Sequence, residues 1–208
     1  MSESPRPCPV VLLPTDRPKW SRRDFIKSVV ATSSTVSGLS YFGTGAASAQ
    51  AAGTERLLTL TVNGQTRRVD VLPNETLATT LRYKLGLTGT KLGCDRAECG
   101  ACTVLIDGTP IYACSTLTHR VGNRSVLTVE GLETEDGELR PVQRAFIDEL
   151  APQCGFCTPG QVMSAVALLQ SNPRPSRQEA RQAMSGNLCR CGAYEHYLNG
   201  VMRAARES

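Results

Sequence analysis

The run Lys91-Leu92-Gly93-Cys94-Asp95-Arg96-Ala97-Glu98-Cys99-Gly100-Ala101-Cys102 sets three cysteines on one glycine-rich stretch, and Cys114 follows after the next predicted hairpin. The spacing Cys94-x4-Cys99-x2-Cys102-x11-Cys114 is the plant-type pattern for a [2Fe-2S] cluster. Four thiolates must converge on two irons, and Gly93 and Gly100 let the backbone curl until its N–H groups face the sulfides. A second set lies downstream, Cys154-x2-Cys157 and Cys189-x1-Cys191, each pair just ahead of a predicted helix. The partial positive charge of two helix N-termini favours an anionic group there.

Outward from the first run the hydrophobic period is two. Leu58, Leu60 and Val62 alternate with threonines, Asn63-Gly64 is a two-residue hairpin signal, and Val69 and Val71 resume the alternation. Asn74 is the expected cap of a helix carrying Leu77, Leu81 and Leu85, with Gly86 as its stop. Thr103 to Ile106, the Asp107-Gly108 turn and Ile111 to Ala113 predict a second hairpin, and Ser125 to Val129 a last strand. This order is α+β. The acidic stretch from Glu133 reads as a linker over 133–140. Beyond it the period becomes helical, predicting helices over Pro141 to Leu150, Pro159 to Gln170, Ser176 to Gly186 and Tyr194 to Arg206. Pro141 and Pro159 suit first helical positions, Thr158 is the expected cap of the second helix, and Ser176-Arg177-Gln178-Glu179 has capping-box spacing. Short joints predict a small antiparallel bundle. Leu77, Leu81 and Leu85, like Val162, Val166 and Leu169, read as core stripes.

The chain opens differently. Ser21-Arg22-Arg23-Asp24-Phe25-Ile26-Lys27 matches a twin-arginine export signal, and Ala47-Ser48-Ala49 matches a cleavage site before Gln50, with Ala49-Gln50-Ala51 a second match, so residues 1–49 are expected to be a removable leader. Eleven of the 18 residues from Ser28 to Gly45 are Ser, Thr or Gly, too polar for a lasting membrane anchor. The expected compartment is the periplasm. Removing the leader takes Cys8 and six of the 23 Lys/Arg with it, leaving 17 Lys/Arg against 16 Asp/Glu and eight of the nine cysteines. That balance argues against a nucleic-acid partner. With 208 residues, 40% of them hydrophobic, the chain is large enough to bury a core without covalent staples.

Three plainer readings compete for the cysteines. Disulfides need spatial pairs rather than clustered short spacings. Zinc accepts four thiolates, but a C-x4-C-x2-C run with a C-x1-C pair is not a usual knuckle set. Buried inert thiols are the third. His119 and His196, the only histidines, read as structural or solvent-facing, since the cysteine fours are already complete.

The stretch from Lys91 to Val104, together with Gln153-Cys154-Gly155-Phe156-Cys157-Thr158-Pro159-Gly160 and Gly186-Asn187-Leu188-Cys189-Arg190-Cys191, resembles the small iron-sulfur subunit of the xanthine dehydrogenase/aldehyde oxidase family of molybdenum hydroxylases. The likeness spans nearly all of 55–208, and the leader places it nearest the periplasmic aldehyde oxidoreductases of bacteria. One departure is Gly192-Ala193-Tyr194, where the family usually has Thr-Gly-Tyr. The resemblance implies a plant-ferredoxin-like β-grasp domain over 55–132 and a four-helix bundle over 141–208, each with one [2Fe-2S] cluster. It further implies that Cys94, Cys99, Cys102 and Cys114 hold the cluster nearer the flavin, and Cys154, Cys157, Cys189 and Cys191 the one nearer molybdenum. Gln153 would touch the pterin of the molybdenum cofactor, with the Cys191 sulfur facing the pterin amino group. The implied partners are a large molybdenum subunit that oxidises aldehydes to carboxylic acids and a medium FAD subunit that receives the electrons. No nucleophile with a base, phosphate loop or nucleotide fingerprint occurs in this chain. A stand-alone ferredoxin-like carrier and a zinc-binding interaction module are the alternatives.

Overall fold

The computed structural model describes residues 21, 23–27, 54–134 and 136–207. Backbone contacts divide the chain into residues 1–52 and 53–208. In the first unit the described residues form one helical turn over 23–27, capped by Ser21, whose Oγ accepts the Asp24 N–H at 3.2 Å. Arg22 and the predicted cleavage site lie outside the described residues. Among the described residues no helix is long and apolar enough to cross a membrane.

The second unit begins with a hairpin, β1 (Arg56–Val62) and β2 (Gln65–Val71), closed between Val62 and Gln65 by Asn63-Gly64. Both turn residues adopt the positive φ that a tight two-residue turn of this hand demands, 51° and 73°. Asp107-Gly108 repeats the device, at 50° and 79°, between β3 (Thr103–Ile106) and β4 (Thr109–Tyr112). The fifth strand, β5 (Ser125–Leu127), completes a sheet of order β2-β1-β5-β3-β4 in which only the β1/β5 pair is parallel. It is shorter than the predicted Ser125 to Val129, because a 3₁₀ turn begins at Val129.

The helix beneath this sheet departs from expectation. Thr76, not Asn74, is its cap, accepting the Thr79 N–H on its side chain, and α1 (Leu77–Thr79) widens at once into a π-helical turn, Thr80–Lys84. The cause lies in tertiary contacts. The Thr80 hydroxyl is 2.7 Å from both the Glu75 carboxylate and the Thr118 hydroxyl, and Lys84 Nζ reaches back to Glu75 at 2.9 Å. Leu77 and Leu81 are buried as predicted, and Gly86, at φ 73°, ends the element.

Four helices follow: α2 (Pro141–Asp148), α3 (Thr158–Ser171), α4 (Arg177–Met184) and α5 (Tyr194–Glu207). The Ser176/Glu179 capping box is present in both directions. Thr158, by contrast, does not cap α3. Cys157 occupies that position, while Thr158 is the first helical residue, its hydroxyl 2.6 Å from that of Tyr197. The helices do not form a core separate from the sheet. All four residues of β3 are buried, with Val104 and Ile106 in the core under the sheet and Leu105 in the core of the helices. Alternation along one strand therefore feeds two cores, and α3 packs directly on β3.

Candidate iron-sulfur sites

The first loop is shaped by three residues in the left-handed region, Asp95, Ala97 and Gly100, at φ 53°, 61° and 69°. This curl aims backbone N–H groups at sulfur. Ala97 donates to Cys114 Sγ at 3.3 Å, and Glu98 and Cys99 donate to Cys94 Sγ at 3.3 and 3.4 Å. A β-carbon on Gly93 would sit 3.0 Å from Cys99 Sγ, so its lack of a side chain keeps the thiol in place. Cys102 lies in the turn just before β3 and Cys114 in the turn after β4, a hairpin length that returns the fourth thiol to the first three. Arg82 secures the loop's entrance by donating to the carbonyls of Thr88 and Thr90, both at 2.8 Å. Backbone N–H groups, that of Arg96 foremost, draw the Cys94 thiol down to about 7, whereas burial pushes Cys102 up to about 12.

In the second set, Cys157 stands at the start of α3, and Cys189 and Cys191 lie on the turn before α5. Cys157 and Cys189 are buried; Cys154 and Cys191 are exposed, as is Gln153 beside them. Burial raises the Cys157 thiol to about 11, and the Phe156 N–H lowers that of Cys154. Tyr194, just past the Gly192-Ala193 departure, accepts the Cys189 N–H on its hydroxyl at 3.0 Å. His119 and His196 are exposed and belong to neither set; His196 Nδ1 lies 2.9 Å from the Glu149 carbonyl.

Sequence reasoning assigned no role to the residue that joins the two sets. Asn187 is 3% exposed and donates to the Gly100 carbonyl at 2.9 Å, while its own side-chain oxygen accepts from Ser164 at 2.7 Å and its main-chain carbonyl from Gln161 at 3.2 Å. Next to it, Leu188 N–H donates to the Cys99 carbonyl at 2.9 Å, so one peptide hydrogen bond links a cysteine of the first set to the residue before Cys189. Tyr112 adds a bond from its hydroxyl to the Gly186 carbonyl at 2.9 Å. The approach depends on small residues: a β-carbon on Gly160 would lie 2.2 Å from the Gly100 carbonyl oxygen, and one on Gly100 2.4 Å from that of Gly186. A cleft of about 720 Å³ runs along this junction, with Cys94 and Cys99 on one side and Cys154, Cys157 and Cys189 on the other.

Within each set the thiols interact with one another, most directly Cys94 with Cys99, Cys102 with Cys114, Cys154 with Cys191 and Cys157 with Cys189, and also across these pairs, as Cys99 with Cys102 and Cys154 with Cys157. Two pairs per set suit two irons, each taking two thiolates, and buried thiols that resist ionisation become thiolates once a cation offsets their charge. The residues fit [2Fe-2S] clusters.

The comparisons agree. Residues 60–125 match the 2Fe-2S iron-sulfur cluster binding domain, and residues 128–202 the [2Fe-2S] binding domain. The aldehyde oxidoreductase iron-sulfur-binding subunit PaoA of Escherichia coli K12 is 42% identical over 90% of this chain and 89% of its own. The chain belongs to the iron-sulfur subunits of the molybdenum hydroxylases. Another member, the nicotine 6-hydroxylase small subunit of Paenarthrobacter nicotinovorans, is 50% identical over 69% of this chain and 86% of its own. The crystal structure of quinoline 2-oxidoreductase from Pseudomonas putida 86 superimposes at a TM-score of 0.71, with 44% identity, covering 74% of this chain and 96% of that one. This chain spans 17% of the aldehyde oxidoreductase of Desulfovibrio desulfuricans, at a TM-score of 0.70 and 46% identity. The subunit thus carries two 2Fe-2S binding domains, in a family whose molybdenum-pterin cofactor and FAD reside in partner subunits.

Proposed function

We propose that this electron-transfer subunit serves a periplasmic aldehyde oxidoreductase, passing electrons from a large molybdenum subunit that oxidises aldehydes to carboxylic acids to FAD in a medium subunit. The eight cysteines from Cys94 to Cys191 are its cluster ligands. The observation that carries the reading is the junction, where thiols of both sets line one cleft and the Leu188-to-Cys99 hydrogen bond ties their loops together. When bound, the clusters supply one-electron acceptance and release. The chain's own residues hold the sulfurs, aim N–H groups at them and bury Cys102, Cys114, Cys157 and Cys189 from water. Cys154 and Cys191 instead lie exposed beside Gln153, amid the exposed apolar side chains Phe156, Leu188 and Tyr194. A fixed partner would cover such a surface, which favours a subunit over a mobile carrier. That side is the one assigned to the pterin.

The choice of aldehydes and of the periplasm rests on the leader. A match covering 90% of the chain, as with PaoA, must reach back into residues 1–54, whereas the 69% covered by the nicotine 6-hydroxylase subunit need not. The test is purification from the native periplasm. Large and medium partners and aldehyde-dependent dye reduction should copurify with the chain, and a variant carrying Arg22→Lys and Arg23→Lys should leave the assembly in the cytoplasm. Recovery of the chain alone, or export by the double variant, contradicts the proposal.

A further inference from the structure

The two cluster sites differ in what faces their sulfurs. In the first, the donors are backbone N–H groups of Ala97, Glu98 and Cys99. In the second, the Phe156 N–H faces Cys154 and a side-chain hydroxyl faces Cys157: Tyr197 OH lies 3.9 Å from Cys157 Sγ, which donates to it, and 2.6 Å from Thr158 Oγ1. Among the described residues no other side-chain oxygen comes within bonding reach of a cysteine sulfur of either set. Tyr197 is 2% exposed, and its ring is held edge-on against Phe146 at a centroid distance of 5.1 Å and 77° between planes. Its hydroxyl is therefore a fixed dipole in apolar surroundings rather than a solvated group.

We infer that Tyr197 is a positioning residue that sets the reduction potential of the helical half's cluster independently of the other. The inference rests on the assignment of Cys157 as a cluster ligand. A free Cys157 thiol donates to the phenol oxygen. Bound to iron, the sulfur is a thiolate and only accepts, so the Tyr197 O–H turns toward it while the Thr158 hydroxyl donates to the phenol oxygen. Reduction adds one electron and spreads negative charge over the sulfurs. An O–H dipole aimed at Cys157 stabilises that state more than the oxidised one, and the proton stays on Tyr197 throughout. At 3.9 Å the contact is long, so the effect is that of an oriented dipole and modest in size.

Tyr197→Phe preserves the packing against Phe146 and removes only the O–H. In an EPR redox titration of the cluster-loaded complex, the helical half's cluster should become harder to reduce. Its reduced-to-oxidised ratio at fixed ambient potential should fall about three- to tenfold, tenfold being about 59 mV for a one-electron couple. The first cluster, identified as the signal lost in Cys99→Ser, should keep its potential. Thr158→Val should move the helical half's cluster in the same direction by less. In the unaltered protein the Fe–S(Cys) stretches of that cluster should shift on transfer to D₂O, and in Tyr197→Phe they should shift less. An unchanged potential in Tyr197→Phe, or equal shifts of both clusters, overturns the inference. Two signals in the unaltered protein keep the ligand assignment intact even then, whereas a missing second signal contradicts that assignment itself.

Discussion

Replacing Asn187 with Leu tests whether the two cluster-bearing halves hold together as one unit. The side chains share the same branching, but Leu removes the bond to the Gly100 carbonyl at 2.9 Å and the acceptor for Ser164 at 2.7 Å, both in a buried site. The Gly100 carbonyl keeps its bond from the Thr103 hydroxyl at 2.6 Å, so the group left stranded is Ser164 Oγ. Three lost hydrogen bonds, that to the Thr103 hydroxyl a long one at 3.4 Å, and one unsatisfied hydroxyl amount to about 2–4 kcal/mol. For a chain of this size that lowers the melting temperature by about 5–15 °C. Circular dichroism of the cluster-loaded protein, followed in the visible for the clusters and in the far ultraviolet for the backbone, measures it. Both cluster bands should disappear together at the lower temperature. Ser164→Ala should cost less in the Asn187→Leu background than alone, because the two side chains share a bond. A loss below about 0.5 kcal/mol, or melting of the helical half while the first cluster's band persists, would refute the account of the junction.

Further outcomes follow from the Glu75 network and from Gln153. Burial alone would raise the Glu75 carboxyl, yet hydrogen bonds from Lys84, Thr80 and the Leu72 N–H hold it below the usual carboxylate range. Its contribution to stability is thus complete above the unfolded carboxylate value and lost as pH falls through the lower folded one. Lys84→Met should destabilise by about 1–3 kcal/mol near neutrality, and urea titrations should show the difference shrinking in acid; a difference independent of pH contradicts the pairing. Gln153→Ala should leave both clusters formed but reduce molybdenum retention or the rate of cluster reduction by aldehyde, measured by metal analysis and stopped flow. Unchanged values for both would remove Gln153 from the molybdenum-facing side.

What could be read from the sequence was local. Asn63-Gly64 and Asp107-Gly108 announce their hairpins because the turn demands positive φ at adjacent positions, which those residues tolerate. The cysteine spacings are legible for the same reason: three thiols sit on one loop, and a hairpin returns the fourth. Where the chain answers to distant partners, the pattern is silent. The π-helical turn after Thr79 is tied to Thr118, and the Thr158 hydroxyl forsakes the cap for Tyr197. Asn187 lies in the quoted motif, yet its partners Gly100 and Thr103 are more than 80 positions away in the chain. Tyr197 lies within the predicted helix with no role assigned to it, and only the packed structure shows its hydroxyl beside sulfur. Likewise β3 reads Thr-Val-Leu-Ile, a run too short to say what covers each face, and the structure puts the helices over the face that carries Leu105.

Iron analysis with EPR of the reduced chain tests the central claim most directly. Two sets of four cysteines, one in each 2Fe-2S binding domain, predict four irons per chain and two distinguishable [2Fe-2S] signals. Zinc in place of iron, or a single signal from a fully loaded chain, would contradict it.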